Sequence, residues 1–381
     1  MRPLLGSAAI LLPLLACHPG PRAVMLADWT RGPAPLTVSF DGTQTRSGAE
    51  ITEYHWDIGD GTEYVGPHAS HTFVDPGEYD VVLTVTDDQG RSSDTMTRIG
   101  VFLPDCPSFE EPVVAGIVSA PAILEASGLV ASPAHPETLW VHNDSGHPPH
   151  LHAIDTEGAS LGVVILEGAG SIDWEDIALG PSPDADGPHL YVGDIGDNRE
   201  RRDFVTIYRL PEPPLPDDPG TPLVFDDWVA LEATYPDGAH DAETLLVDPL
   251  TGEILIGTKA FDGVSRFYRY PLPQRPEERV ELELVAELDL TPEGFNVYGL
   301  PLLTAGDLSP DGAHILLRTY TGALLWHRGN GSIVDALASR ACDVPLAGEP
   351  QGEAIGFAPD GQGYWTLSEG ADQPLYWYAA R

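Results

Sequence analysis

The chain has 381 residues, 42% of them apolar, which is room for two ordinary cores. Acidic residues outnumber basic ones 59 to 19, a formal net charge of -40, and Lys259 is the single lysine. A field of that sign argues against nucleic acid and anionic lipid surfaces as partners, and it draws cations, divalent ions first.

The amino terminus reads as a targeting segment. Arg2 is followed by an apolar stretch over residues 4–15, too short to span a bilayer. Its end, Leu14-Leu15-Ala16-Cys17, resembles the bacterial lipobox. That resemblance implies a signal peptide over 1–16, a lipidated Cys17 and a short tether over 17–22. His18 after the cysteine points to an outer-membrane lipoprotein of the cell envelope, periplasmic or surface-exposed. No later segment is long and apolar enough to cross a membrane, so the lipid is the expected membrane contact.

Residues 23–102 alternate polar and apolar residues over short runs, as in Leu36-Thr37-Val38-Ser39-Phe40, with turn signals at Asp60-Gly61, Pro76-Gly77 and Gln89-Gly90. The pattern predicts an antiparallel Ig-like β-sandwich with one buried face per sheet. The run Trp56-Asp57-Ile58-Gly59-Asp60-Gly61, then His71-Thr72-Phe73 and Pro76-Gly77-Glu78-Tyr79, resembles the PKD (polycystic kidney disease) domain family. The resemblance implies a buried Trp56 and a spacer role between anchor and head. Asp57 and Asp60 could hold an ion, but Asp side chains at such turns more often accept backbone N–H groups.

A linker over 103–112 precedes a second domain over 113–381. The unit that opens its repeats occurs at Glu125-Ala126-Ser127-Gly128-Leu129, Asp173-Trp174-Glu175-Asp176-Ile177, Asp241-Ala242-Glu243-Thr244-Leu245, Thr304-Ala305-Gly306-Asp307-Leu308 and Gln351-Gly352-Glu353-Ala354-Ile355. Apolar second strands are expected over 139–142, 190–193, 254–257, 315–318 and 363–366, and third strands over 151–154, 206–209, 266–269, 323–326 and 375–378. Repeats of about 50 residues with four short strands each predict a β-propeller. Five blades is the favoured count, and two long intervals leave room for a sixth. The last repeat stops after three strands, and residues 113–118 can supply its fourth, which removes an exposed edge. In such a ring Cys106 and Cys342 are neighbours, and an exported chain allows a disulfide between them.

First strands should open, and second strands close, at one face. Glu125, Asp173, Glu175, Asp241, Glu243 and Glu353 should therefore meet Asn143, Asp144, Asp194, Asp197, Asn198, Lys259, Arg318, Tyr320 and Glu369 around one channel mouth. Clustered carboxylates need a cation, basic residues or water. Oxygen-only donors suit Ca2+ as cofactor. The alternatives are acids that hydrogen-bond neighbouring backbone, or acid/base groups of a reaction. His142, His147, His150 and His152 follow no zinc spacing. Trp140, Tyr320 and Trp365 are candidates for an aromatic rim.

The Asp/Glu–x–Glu–x–Leu openings are similar to those of phytase-like, SdiA-regulated and regucalcin-type propellers, which implies metal ligation by Glu175, Glu243 and Glu353 and nothing of their activity. Two functions follow. One is a monomeric, surface-anchored lipoprotein whose head binds a cell-envelope protein or polysaccharide. The other is a metal-dependent hydrolase of phosphoesters, lactones or sugars at the same mouth.

Overall fold

A computed structural model of the chain describes residues 19–290 and 302–381. Cys17 and the residues before it, where the signal peptide and lipidation site are expected, lie outside them. The chain divides into two compact units, Met1–Phe102 and Leu103–Arg381. It is an all-β protein: among the described residues one short helix, Ile333–Leu337, interrupts the strands, capped by Ser332 and Asp335.

The first unit packs two sheets. One holds Leu26–Ala27, Leu36–Asp41 and His68–Phe73. The other orders Arg31–Pro33, Ser92–Phe102, Gly77–Asp87, Ile51–Asp57 and Glu63–Val65. In the second half of Gly77–Asp87 burial alternates strictly, so Val81, Leu83 and Val85 enter the core with Phe40, Trp56 and Phe73. Trp56 is fully buried, and its Nε1–H donates to Gly66 O at 2.8 Å, which settles the one polar atom of its ring. Asp57 and Asp60 each accept the backbone N–H two residues on, from Gly59 and Thr62, at 2.9 Å. His71 Nε2 lies 2.8 Å from the other Asp60 oxygen. These acids shape the turn after the tryptophan.

The second unit contains five sheets with one recurring order, in which consecutive strands pair antiparallel. The first strands are Ala126–Ala131, Trp174–Pro181, Ala242–Val247, Leu303–Leu308 and Gly352–Phe357. The second strands are Thr138–Asn143, Pro188–Asp194, Ile254–Thr258, His314–Thr319 and Gly363–Ser368. Each first strand lies beside the first strands of the sheets before and after it, and Gly352–Phe357 lies beside Ala126–Ala131. The order is therefore cyclic. The apolar clusters follow the same cycle, each lying between two neighbouring sheets; the last joins Trp365, Leu367 and Leu375 of the fifth to Leu129, Val141 and Ile154 of the first.

The fourth strand of the last sheet is Val113–Val118, paired with Gln373–Ala379. Chain start and chain end of this unit thus complete one sheet. Nearby, Cys106 and Cys342 form a disulfide across 236 residues, with Cα atoms 5.7 Å apart. Cys342 belongs to the outer strand of the fourth sheet, Cys342–Val344. Replacing Cys342 by serine should cost about 2–4 kcal/mol, because a cross-link over so long a loop restricts the unfolded chain. Denaturant unfolding of wild type and variant, each without reductant, checks this; equal midpoints would contradict it.

Candidate functional site

The five first strands share a local irregularity at their openings. The pairing register of each with its second strand shifts at one place: between Ala126 and Leu129, Trp174 and Asp176, Ala242 and Thr244, Leu303 and Ala305, and Gly352 and Ala354. The residues in those β-bulges are Ser127 with Gly128 in the first strand, and Glu175, Glu243, Thr304 and Glu353 in the others. A bulge leaves one residue unpaired and re-aims its side chain, so one chain position is turned out of the ladder five times.

This register corrects the repeat alignment in the fourth copy. Thr304, not Gly306, is the counterpart of Glu175. Gly306 instead stands where the other copies carry Leu or Ile. A Cβ there would lie 2.7 Å from Leu317 Cδ2 and 2.9 Å from Thr244 Cγ2, so neighbouring side chains already fill the space. Thr304 and Ser127 behave alike: each hydroxyl donates to the backbone of the next sheet's opening, at Gly352 O and Glu175 O.

The acidic bulge residues converge. Ligand oxygens of Glu175, Asp241 and Glu243 lie within 4.8 Å of one another, as do those of Asp144, Asp173 and Glu175, and those of Asp144, Glu353 and Glu369. Glu175, Glu243 and Glu353 are almost fully buried. Two oxygens in this group, Asp173 Oδ1 and Glu243 Oε2, are buried without a hydrogen-bond partner among the described residues. The loop after the second strand of sheet two closes over Asp173 and Glu175. A Cβ at Gly196 would lie 2.0 Å from Glu175 Oε1 and 2.7 Å from Asp173 Oδ2, so only glycine lets the backbone press on these carboxylates. Asn198 favours the ionised form of Asp173, and the Asp197 N–H donates to Asp241 Oδ1 at 2.8 Å.

Lys259 enters from the third sheet. Its Nζ reaches Glu243 Oε1 at 2.5 Å and the Tyr320 hydroxyl at 3.0 Å. Tyr320 in turn donates to Glu353 Oε1 at 2.6 Å. Burial alone would lower the Lys259 pKa, but Glu243 and Tyr320 outweigh it and Lys259 stays a cation. For the acids burial wins, reinforced by neighbouring charges. It pushes Asp144 up to about 7, Glu243 to about 8 and Glu369 to about 9. Glu175 is raised well above its ordinary value by burial and then by Glu243, and Asp173 and Asp241 are raised too.

Other residues expected at the mouth serve the scaffold. Arg318 is fully buried, and its guanidinium donates to Gly352 O at 2.9 Å, Ala354 O at 3.0 Å and Glu349 Oε2 at 2.5 Å; it fastens sheet four to sheet five. Asn143 Oδ1 accepts from Leu124 and Glu125 N–H. Asp194 accepts from Ile172 and Asp173 N–H and pairs with Arg202 at 2.7 Å. Asp197 Oδ2 accepts from Arg201 and Arg202 N–H. The polar ends of these second strands thus tie down the first-strand openings. Glu125 is half-exposed, paired with His147 at 3.2 Å, and outside all three acidic groups.

The aromatic rim narrows to Tyr320. Trp140 is in the core with its Nε1–H on Glu212 Oε1, and Trp365 packs against Trp377 with ring centroids 4.5 Å apart. His142 and His152 are buried, and burial lowers both to about 4.

Comparison with known proteins bears on the first unit. A family model described as "PKD domain" matches residues 20–100, and the chain carries a PKD domain there. Collagenase ColA of Clostridium perfringens is 40% identical over 65 residues, 17% of this chain and 6% of that protein. Collagenase ColA of Bacillus cereus is 36% identical over 61 residues, again 6% of its length. The chain therefore spans a small part of the relatives it matches. Among solved structures, the PKD1 domain of Vibrio anguillarum Epp is 29% identical, covering 22% of this chain and 96% of that one at a TM-score of 0.20. An auxiliary nutrient binding protein from Bacteroides thetaiotaomicron is 13% identical and covers 93% of this chain and 85% of its own, at a TM-score of 0.35.

The raised acids set a pH dependence. An acid whose pKa is higher folded than unfolded stabilises the fold fully below its unfolded value, near 4, and loses that contribution as pH rises through the folded value. For Asp144, Glu243 and Glu369 that window runs from about 4 to about 9. In the presence of a chelator the second unit should lose stability steadily from pH 5 to pH 9. Thermal melts across that range test it; a rise in stability over the same range would contradict the site's electrostatics.

Proposed function

We propose that the second unit is a five-bladed β-propeller, and that one mouth of its channel holds a hard divalent cation, Ca2+, through which the head binds a ligand or cell-envelope partner. The cyclic order of five sheets and the completion of the last by Val113–Val118 support the propeller reading. The observation that carries the cation is the pair of buried, unpartnered oxygens, Asp173 Oδ1 and Glu243 Oε2, among converging carboxylates for which Lys259 supplies a single positive charge. A buried polar oxygen without a partner is costly. A cation ligated by oxygen alone relieves it, and six to eight oxygens at about 2.3–2.6 Å suit Ca2+.

The setting fits an exported protein. PKD domains occur in extracellular proteins such as collagenases, and the leader ending at Cys17 supports a lipid anchor. Among the described residues no helix is long and apolar enough to cross a membrane. In this reading the PKD domain is a spacer, and the propeller is a monomeric binding head for a cell-envelope protein or polysaccharide.

Calcium should raise the melting temperature. At 100 times the dissociation constant the gain is about 2.7 kcal/mol, and at about 2–4 °C per kcal/mol for a unit of this size that is a shift of about 5–11 °C. Glu243→Gln and Gly196→Ala should each remove most of that shift. Melts with Ca2+, with Mg2+ and with chelator decide it: no shift with either ion would sink the cation site.

A further inference from the structure

We infer that the mouth holds two hard divalent cations side by side, sharing Glu175 as a bridging ligand. The inference rests on the cation reading above and deepens it. Two of the acidic trios, Glu175/Asp241/Glu243 and Asp144/Asp173/Glu175, have Glu175 in common. Each trio has its own buried oxygen without a partner, Glu243 Oε2 in the first and Asp173 Oδ1 in the second. One ion at the Glu243 trio would leave Asp173 Oδ1 unsatisfied, and one at the Asp173 trio would leave Glu243 Oε2 so. A carboxylate has two oxygens and can ligate one ion with each, and Glu175 is the residue placed to do it.

Charge gives the same count. The two trios hold five carboxylates, Asp144, Asp173, Glu175, Asp241 and Glu243. Lys259 neutralises one through its 2.5 Å contact with Glu243. Arg202 lies close enough to act on Asp173, but it adds no net charge, because Asp194, outside the two trios, pairs with its Nη1 at 2.7 Å. Four negative charges remain when the acids are ionised, and two divalent ions balance four charges. A single ion would leave two carboxylates buried, close together and uncompensated.

The two positions differ. All three members of the Glu243 trio are buried, whereas Asp144 is partly exposed. The first ion is therefore enclosed and structural. The second lies at the rim and completes its shell with water or with oxygens of whatever the mouth binds, so the ligand class is one with hydroxyl, carboxylate or phosphate oxygens.

Equilibrium dialysis of the full chain against Ca2+ alone tests this, with near-ultraviolet circular dichroism to show that each variant is folded. Two ions per chain are expected for wild type, one for Asp173→Asn, one for Glu243→Gln, and neither at wild-type affinity for Glu175→Gln. One ion in wild type, unchanged by Asp173→Asn, would overturn the second site and leave the cation reading standing. No ion in wild type would overturn both. Two ions in wild type with loss of only one in folded Glu175→Gln would overturn the shared ligand.

Discussion

The second unit depends on a group of carboxylates held out of water at the point where its sheets meet. Two ionised oxygens 4.8 Å apart repel by roughly 3–4 kcal/mol at an effective dielectric constant of about 20. Several such pairs share the cluster. The scaffold does not avoid the arrangement; it enforces it. Bulges turn Glu175, Glu243 and Glu353 inward, Gly196 clamps two of the acids, and the polar ends of second strands fix the strands that carry them.

Buried acids elsewhere in the unit show what a purely structural role looks like. Asp176 accepts N–H groups from Ile177, Leu245 and Gly306, so it ties three sheets together. Asp307 does the same between Leu308 and Phe357, and Asp248 takes both arms of Arg328. In each of these both oxygens are satisfied. Asp173 and Glu243 lie in the same unit at similar burial, and each keeps one oxygen unpartnered. Glu212 Oε2, bound up with Ser132 and Trp140 through its other oxygen, is also unpartnered, so what marks the acidic cluster is two such oxygens among converging carboxylates, where a buried polar atom is normally paired.

Much of this was legible in the sequence. Strand runs such as Leu190-Tyr191-Val192 and the extra strand Val113–Val118 were marked by apolar patterning, and the PKD segment by Trp56 and its Asp-Gly turn. Four of the five inner positions, Ser127, Glu175, Glu243 and Glu353, are legible as the residues two places after Glu125, Asp173, Asp241 and Gln351. The fourth copy was misplaced because Leu308 mimics the apolar anchor, while the true anchor position had become Gly306 under crowding from Leu317 and Thr244. The bulges have no sequence signature, so the turning of these side chains could not be read. Nor could the difference between Lys259, which reaches the acids, and Arg318, whose planar fork is used up on carbonyls and Glu349.

Anomalous diffraction from crystals of the protein grown in Ca2+ tests the central claim most directly, because it locates the ion and its ligands together. The account predicts peaks at the mouth with Glu175 and Glu243 oxygens at about 2.3–2.6 Å. A map without a peak there, with the Asp173 and Glu243 oxygens hydrogen-bonded to ordered water instead, would contradict it.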